Sequence, residues 1–253
     1  KSTLILNEAL QLNEANFSNR ERNSILFDLA FTYVNQSKFD NAIECCKQIE
    51  KTIASKSSDD IQVKYIKARA TLSGEELIHK LKLLEEKAKK FKSQNLAHTI
   101  SLEISRLEDD DLQNDKRYSK IMTSQTDDYN KVRAIINRSL LRLELGQNIT
   151  NEDLHLLNIA YSYLYTQRLE TLFSKCHKAL WNYCIKEKRI EDLFNLFKHS
   201  SLIWRISSDI ELERMYFNEL KSERQNYIDS YIKSTTNHAN LNYYLKRELE
   251  LNQ

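Results

Sequence analysis

One stretch of the chain decides the fold: residues 29–43 read LAFTYVNQSKFDNAI. Apolar residues recur with a period near 3.6 up to Val34, a short polar segment follows, and the apolar pattern resumes at Phe39. This pattern predicts two antiparallel helices joined by a tight loop. Residues 180–197 repeat the apolar spacing around a polar loop of the same length. We therefore expect an array of helical hairpins with a mean repeat of about 38 residues.

The amino-acid composition excludes several other folds and activities. The 253 residues include 2 glycines, Gly74 and Gly146, and 0 prolines. Glycine-rich phosphate-binding loops, the Gly-rich loop of kinases and the Gly-x-Ser-x-Gly motif of hydrolases therefore do not occur in the sequence. Tight β-hairpin turns also prefer glycine, so an all-β fold is disfavoured. We predict an all-α protein.

Local signals place the helices along the chain. Capping boxes are predicted at Ser18 with Glu21, Ser73 with Glu76, Ser208 with Glu211 and, more weakly, Thr150 with Asp153. Gly146 follows an apolar run and predicts a helix end. We expect a helix over residues 2–15 and hairpins of 21–35 with 39–54, 59–72 with 74–91, 95–108 with 115–123, 128–145 with 151–165, and 167–187 with 190–204. Two final helices are predicted over residues 209–233 and 236–251.

The domain organisation follows from these helices. We expect residues 1–205 to form the repeats and residues 206–253 to form capping helices, within one continuous domain. The sequence opens at Lys1 inside a helical pattern, without a signal peptide. We interpret the chain as part of a longer protein, with an effector domain before Lys1.

The stretch from Asn23 to Ala54 resembles a tetratricopeptide repeat. The positions that carry the resemblance are Leu26, Leu29, Ala30 and Tyr33 on the first helix, and Phe39, Ala42 and Cys46 on the second. The resemblance implies a right-handed superhelix, an α-solenoid in which each hairpin buries its apolar face against the next. Ala30 and Ala42 would let the two helices approach closely, while Tyr33 and Phe39 would fill the space beyond. The later match departs from the pattern, because Trp181 stands where a small residue is expected.

Charge and reactive residues do not indicate an enzyme. The 38 basic and 36 acidic residues leave a net charge of +2, which gives no electrostatic reason to expect nucleic acid or a membrane as the main partner. The histidines and the four cysteines lack metal-ligand spacing. We expect the cysteines to be reduced and buried; they are Cys45, Cys46, Cys176 and Cys184. These features predict a cytoplasmic chain without catalytic residues, cofactor or metal.

Two pairs of residues are candidates for partner binding. The resemblance implies that first helices line a concave face, where Phe27 and Phe31 lie four residues apart. They would form an apolar groove for a peptide or helix, or they would pack against the helix at 2–15 or against a preceding segment. Lys178 and Asn182 occupy the corresponding stripe of a later helix. In the family such a pair can begin a clamp for a terminal carboxylate, although the next helix offers Asp209, Leu212 and Tyr216 rather than the rest of that clamp.

The C-terminal part combines aromatic and basic residues, which are Arg214, Tyr216, Phe217, Arg224, Tyr227, Tyr231, Tyr243, Tyr244 and Arg247. They would stack on nucleic-acid bases or form a cap over the last repeat. We expect a protein- or peptide-binding repeat module that serves as the sensor or regulatory arm of a larger protein. The alternative is a nucleic-acid-binding helical domain that uses this C-terminal half.

Overall fold

The computed structural model describes residues 2–12, 18–167, 169–206 and 210–221, together with 243, 246–247 and 250–251. Within these residues the secondary structure is helical and contains no strand, so the all-α prediction is confirmed. The helices are α1 (Ser2–Leu12), α2 (Asn19–Asn35), α3 (Phe39–Glu50), α4 (Ser58–Thr71), α5 (Gly74–Lys90), α6 (Gln94–Leu107), α7 (Asp111–Thr123), α8 (Asp128–Glu144), α9 (Asn151–Gln167), α10 (Glu170–Lys186) and α11 (Ile190–Ile206). A further helical stretch covers residues 210–221.

Consecutive helices pack against one another as the sequence predicts. Contacts join each helix to the next from α1 to α7 and again from α9 to α11. Each predicted hairpin begins with an even-numbered helix, and we call these helices, α2, α4, α6, α8 and α10, the first helices. The first four of them end at Asn35, Thr71, Leu107 and Glu144, which are 36 or 37 residues apart. The helical-hairpin array is therefore confirmed, whereas the right-handed superhelix stays a prediction.

The chain divides into two compact units, Lys1–Ala134 and Ile135–Gln253. The division falls within α8. The boundary that we predict at residue 206 lies inside the second unit.

The predicted helix starts have different outcomes. Ser18 and Glu21 form a complete capping box at α2. Thr150 likewise accepts the backbone N–H of Asp153 at 3.1 Å, and the Asp153 carboxylate accepts from the Thr150 hydroxyl at 2.8 Å. The box predicted at Ser73 is wrong, because the Ser73 side chain makes no capping bond. Ser208 lies outside the described residues.

Four helices end in a left-handed residue, and glycine supplies one of the four. Gly146 has a φ of +68°, as its predicted role at a helix end requires. The other three residues at these ends are Ser37, Lys92 and Lys188, with φ between +54° and +58°. In each case the next backbone N–H bonds a carbonyl five residues earlier, at 2.8–2.9 Å. These bonds satisfy helix-end carbonyls, which offsets the unfavourable left-handed conformation.

The contact between α2 and α3 depends on two alanines. Ala30 and Ala42 are both 0% exposed, as expected of small residues at a close helix–helix contact. Tyr33 is half-buried, and its hydroxyl accepts a hydrogen bond from Asn7 at 3.2 Å. Phe39 is 41% exposed, so the expectation that its ring fills the space beyond this contact is wrong. The structure places Phe39 at the first position of α3, where its ring reaches solvent.

The core of the second unit contains a histidine enclosed by aromatic rings. His177 is 0% exposed, and neither ring nitrogen has a hydrogen-bond partner in the part of the chain that the structure describes. We call its surroundings the His177 cage; the ring centroids lie at 4.4–6.3 Å and belong to Phe173, Trp181, Trp204 and Tyr216. Burial in this apolar cage lowers the pKa of His177 to about 3. The imidazole is therefore neutral at physiological pH.

Candidate functional site

The two phenylalanines predicted to bind a partner lie in different environments. Phe27 is 8% exposed and belongs to the hydrophobic core of the first unit. Phe31 is half-buried, and its ring centroid lies 5.9 Å from that of Tyr65 on α4. Of the two, Phe31 therefore offers the larger surface to a partner.

A row of contacting side chains runs from Phe31 on α2 across α4 to α6. Arg69 on α4 donates to the Asn35 side-chain oxygen on α2 at 3.1 Å. The same guanidinium lies 3.2 Å from the Glu103 carboxylate on α6 and over the Tyr65 ring at 5.7 Å. We call Phe31, Asn35, Tyr65, Arg69 and Glu103 the first-helix row. Its contacts join residues 34 positions apart in the sequence, namely Phe31–Tyr65, Asn35–Arg69 and Arg69–Glu103.

Arginines surround the single carboxylate of the first-helix row. Glu103 accepts a hydrogen bond from Arg106 at 2.7 Å. Burial of Glu103 opposes its ionised form, but this bond and the charges of Arg69, Arg106 and Arg133 outweigh burial and hold its pKa below the usual value. Arg133 is half-buried on α8 and stacks over Tyr129 at 5.5 Å. The three arginines exceed the carboxylate by two positive charges, which favours an anionic group on a bound partner.

The second predicted pair is accessible but lies in the other unit. Lys178 and Asn182 are both exposed on α10. Of the residues that would complete a carboxylate clamp, Leu212 is half-buried, Tyr216 belongs to the His177 cage, and Asp209 lies outside the described residues. Exposure alone assigns no ligand to this pair, so its role in binding stays a prediction.

The described aromatic and basic residues of the C-terminal part contact other parts of the second unit. Tyr216 and Phe217 are buried. Arg247 donates to the fully buried Glu213 at 2.5 and 2.6 Å, and the Tyr243 hydroxyl lies 2.8 Å from that of Ser201. These contacts leave Tyr216, Phe217 and Arg247 little surface for stacking on bases. The remaining residues of the predicted set are Arg214, which is exposed, and Arg224, Tyr227, Tyr231 and Tyr244, which lie outside the described residues.

A cavity of the second unit is lined by tyrosines. It has a volume of about 450 Å³ and lies between α9, α10 and α11, where Tyr161, Tyr165 and Tyr183 contribute rings. Arg189 and Asp192 form an ion pair of 2.6 Å at its edge, so their charges balance. Neither Lys178 nor Asn182 lines this cavity. The structure therefore does not join the predicted pair to it.

The cysteines are free and buried, as predicted. Burial is the main cause that raises their pKa values, to about 11 for Cys45 and about 12 for Cys46 and Cys184. The thiol of Cys176 is shifted in the same direction. Thiols with raised pKa values are poor nucleophiles near neutral pH.

Among the described residues, no three His, Cys, Asp or Glu side chains come together in a way that could hold a metal ion. No helix in the same part of the chain is long and apolar enough to span a membrane.

Comparison with known proteins gives no relative: no family model, no curated protein and no solved structure matches this chain. The resemblance of residues 23–54 to a tetratricopeptide repeat therefore stays a prediction.

Sequence reasoning missed most of the first-helix row. Tyr65, Arg69 and Glu103 stand on helices that the sequence does predict, but nothing in their local sequence marks them as neighbours. The signal that would have found them is the separation of 34 residues, since it links Asn35 to Arg69 and Arg69 to Glu103. That value is the usual length of a tetratricopeptide repeat, about 34 residues.

Proposed function

We propose that this chain is a non-catalytic module that binds a protein or peptide through the first-helix row. The observation that carries the proposal is the continuity of side-chain contacts from Phe31 on α2 through Arg69 on α4 to Glu103 on α6. Repeat arrays bind partners along such extended surfaces. The sensor or regulatory role in a larger protein belongs to the same proposal.

The chemistry of the row supports a peptide with both apolar and acidic residues. Phe31 presents part of its ring beside the partly exposed guanidinium of Arg69. Aromatic and arginine side chains contribute most of the binding energy at many interfaces. The positive excess around Glu103 favours a partner carboxylate, because arginine binds carboxylates through paired, charge-assisted hydrogen bonds. An apolar residue would contact Phe31 while a neighbouring Asp or Glu meets Arg69 and Arg133.

The proposal can be tested with peptides selected on the full chain from a random 12-residue display library. We expect Phe31→Ala and Arg133→Gln each to weaken binding of a selected peptide by about tenfold or more, since anchors of this kind contribute roughly 1–2 kcal/mol or more. Binding is measured by fluorescence anisotropy. Phe39→Ala and Lys38→Gln are the matched controls, because both residues are exposed and belong neither to the row nor to the arginines around Glu103.

The variants also separate binding from folding. Phe31 is half-buried, so Phe31→Ala should lower the melting temperature less than Leu29→Ala, which removes a fully buried side chain. Selected peptides that lose equal affinity with Phe39→Ala and Phe31→Ala would refute the assignment of the site. Peptides without Asp or Glu enrichment would refute the role of the arginines.

A further inference from the structure

A second cavity lies in the first unit between α5, α6 and α7, and its lining is rich in hydrogen-bond donors. Its volume is about 410 Å³. Pockets that hold small molecules span roughly 300–1,000 Å³. The donors that line it are Lys89, Gln94, His98, Arg117 and Lys120. Glu85 is the single carboxylate in the lining.

The cations of this cavity retain capacity for an anion. Lys89 is paired with Glu85 and Glu86 at 2.8 and 2.7 Å. Arg117 binds Glu108 and Asn114 through one terminal nitrogen, Nη1, which leaves its other nitrogens facing no described acceptor. Lys120 is exposed and forms no ion pair with a described residue. Among the described residues, Lys120 is thus the cation of the three that has no carboxylate partner.

His98 brings a buried polar atom without a partner to the same cavity. The residue is 6% exposed, and its Nε2 lies 3.3 Å from the Gln94 side-chain nitrogen. Its Nδ1 is buried and has no hydrogen-bond partner among the described residues. Buried polar atoms are rarely left unpaired in proteins. His98 therefore gives the cavity lining an imidazole whose hydrogen bonding is incomplete among the described residues.

The amino end of α6 adds backbone donors. The helix begins at Gln94, and the preceding Ser93 makes no side-chain capping bond. The Ser93 hydroxyl instead lies 2.7 Å from that of Ser58. The first N–H groups of a helix carry partial positive charge and bind anions when they are not capped. Gln94 and Ala97, from this first turn, both line the cavity.

We propose that this cavity binds the phosphate group of a small organic phosphate. The cavity offers a guanidinium, two ammonium groups, an imidazole, a side-chain amide and a helix start. Together these groups provide more donors than the two oxygens of a carboxylate accept. A phosphate monoester offers three acceptor oxygens. The cavity also extends beyond a single anion, so the phosphate carries an organic group. This site is separate from the first-helix row. The proposal that it binds a phosphate does not depend on whether that row binds a peptide.

The test uses phenyl phosphate, inorganic phosphate, benzoate and a short phosphoserine peptide as probes on the full chain. Binding is followed by calorimetry and by the NMR signals of the His98 imidazole, which are assigned by their loss in His98→Gln. We expect phenyl phosphate to bind at least about tenfold more tightly than benzoate and to shift the His98 signals. Lys120→Gln should weaken phenyl phosphate binding by about fivefold or more, because one charge-assisted hydrogen bond is lost.

Lys116→Gln is the matched control, since Lys116 is exposed on the same helix and does not line the cavity. It should leave the affinity unchanged. Lys120 is exposed, so its replacement should not unfold the protein, and a thermal melt checks this directly. Equal loss with Lys116→Gln and Lys120→Gln would overturn the proposal in favour of general charge attraction. Tighter binding of the phosphoserine peptide, equal binding of benzoate, or unchanged His98 signals would each also overturn it.

Discussion

The buried imidazole of His177 should make the stability of the second unit depend on pH. In the unfolded chain this histidine has its ordinary pKa of 6.5, whereas burial lowers its pKa to about 3 in the folded protein. The unfolded state therefore binds the proton more readily. The stability contributed by the neutral imidazole is fully present above the unfolded pKa and is lost as the pH falls from about 6.5 towards 3.

The magnitude follows from the two pKa values. Below pH 6.5 the free energy of unfolding should fall by about 1.4 kcal/mol per pH unit for this single group. Between pH 8 and pH 5 the loss is about 2 kcal/mol. The cage around His177 presents aromatic rings, and no neighbouring charge contributes to the shift. Burial is therefore its only cause.

The variant His177→Leu isolates this effect, because leucine is similar in size and does not titrate. Urea unfolding of both proteins, followed by circular dichroism at pH 8 and pH 5, gives the stability difference at each pH. We expect this difference to change by about 2 kcal/mol in favour of the variant at pH 5. The exposed His155, replaced by Gln, is the control for loss of a histidine outside the cage. Parallel profiles for wild type and His177→Leu would show that His177 is hydrated or paired in the folded state.

Three further predictions concern packing, helix ends and thiols. Ala42→Leu should lower the free energy of unfolding by roughly 1–3 kcal/mol, because it overfills the α2–α3 contact; unchanged urea unfolding would contradict that contact. Ser37→Gly and Lys188→Gly should each raise stability by about 0.5–1 kcal/mol, since glycine adopts their left-handed conformation without strain; Lys38→Gly, at a φ of −91°, is the control that should not stabilise. A coloured disulfide reagent at pH 8 should label the four cysteines within minutes only after unfolding. The reason is that a pKa of about 11 or more leaves about one thiol in a thousand ionised. Rapid labelling of one native thiol would indicate an accessible, reactive site.

The helices could be predicted because their signals are local. The apolar period of 3.6 and the near absence of glycine and proline leave few alternatives for residues such as 29–43. Exceptions arise where the backbone leaves the common conformations. Gly74 has a φ of +55°, so the chain enters α5 through a left-handed turn, and Ser73 does not cap the helix. Ser37, Lys92 and Lys188 adopt the same conformation without glycine, and no sequence signal marks them.

The candidate site was harder to predict, because it depends on which helices meet. Phe27 and Phe31 are four residues apart, so a helical projection places them on one stripe. Contacts of α2 with neighbouring elements then bury Phe27 in the core, whereas Phe31 keeps part of its ring in solvent. A periodicity argument gives the direction of a side chain but not what covers it.

The first-helix row was missed because the repeat length was averaged over unequal connections. A shift of about 38 residues from Asn35 reaches Ser73, which precedes α5, whereas the contact runs to Arg69 at a separation of 34. The longer segment at 145–150, between α8 and α9, helps to inflate the mean. Net charge conceals the row as well, since a total of +2 over 253 residues gives no sign of three arginines around Glu103. The clustering of these charges can be recognised only once the contacts between α2, α4 and α6 are known. The peptide proposal therefore rests on contacts rather than on composition.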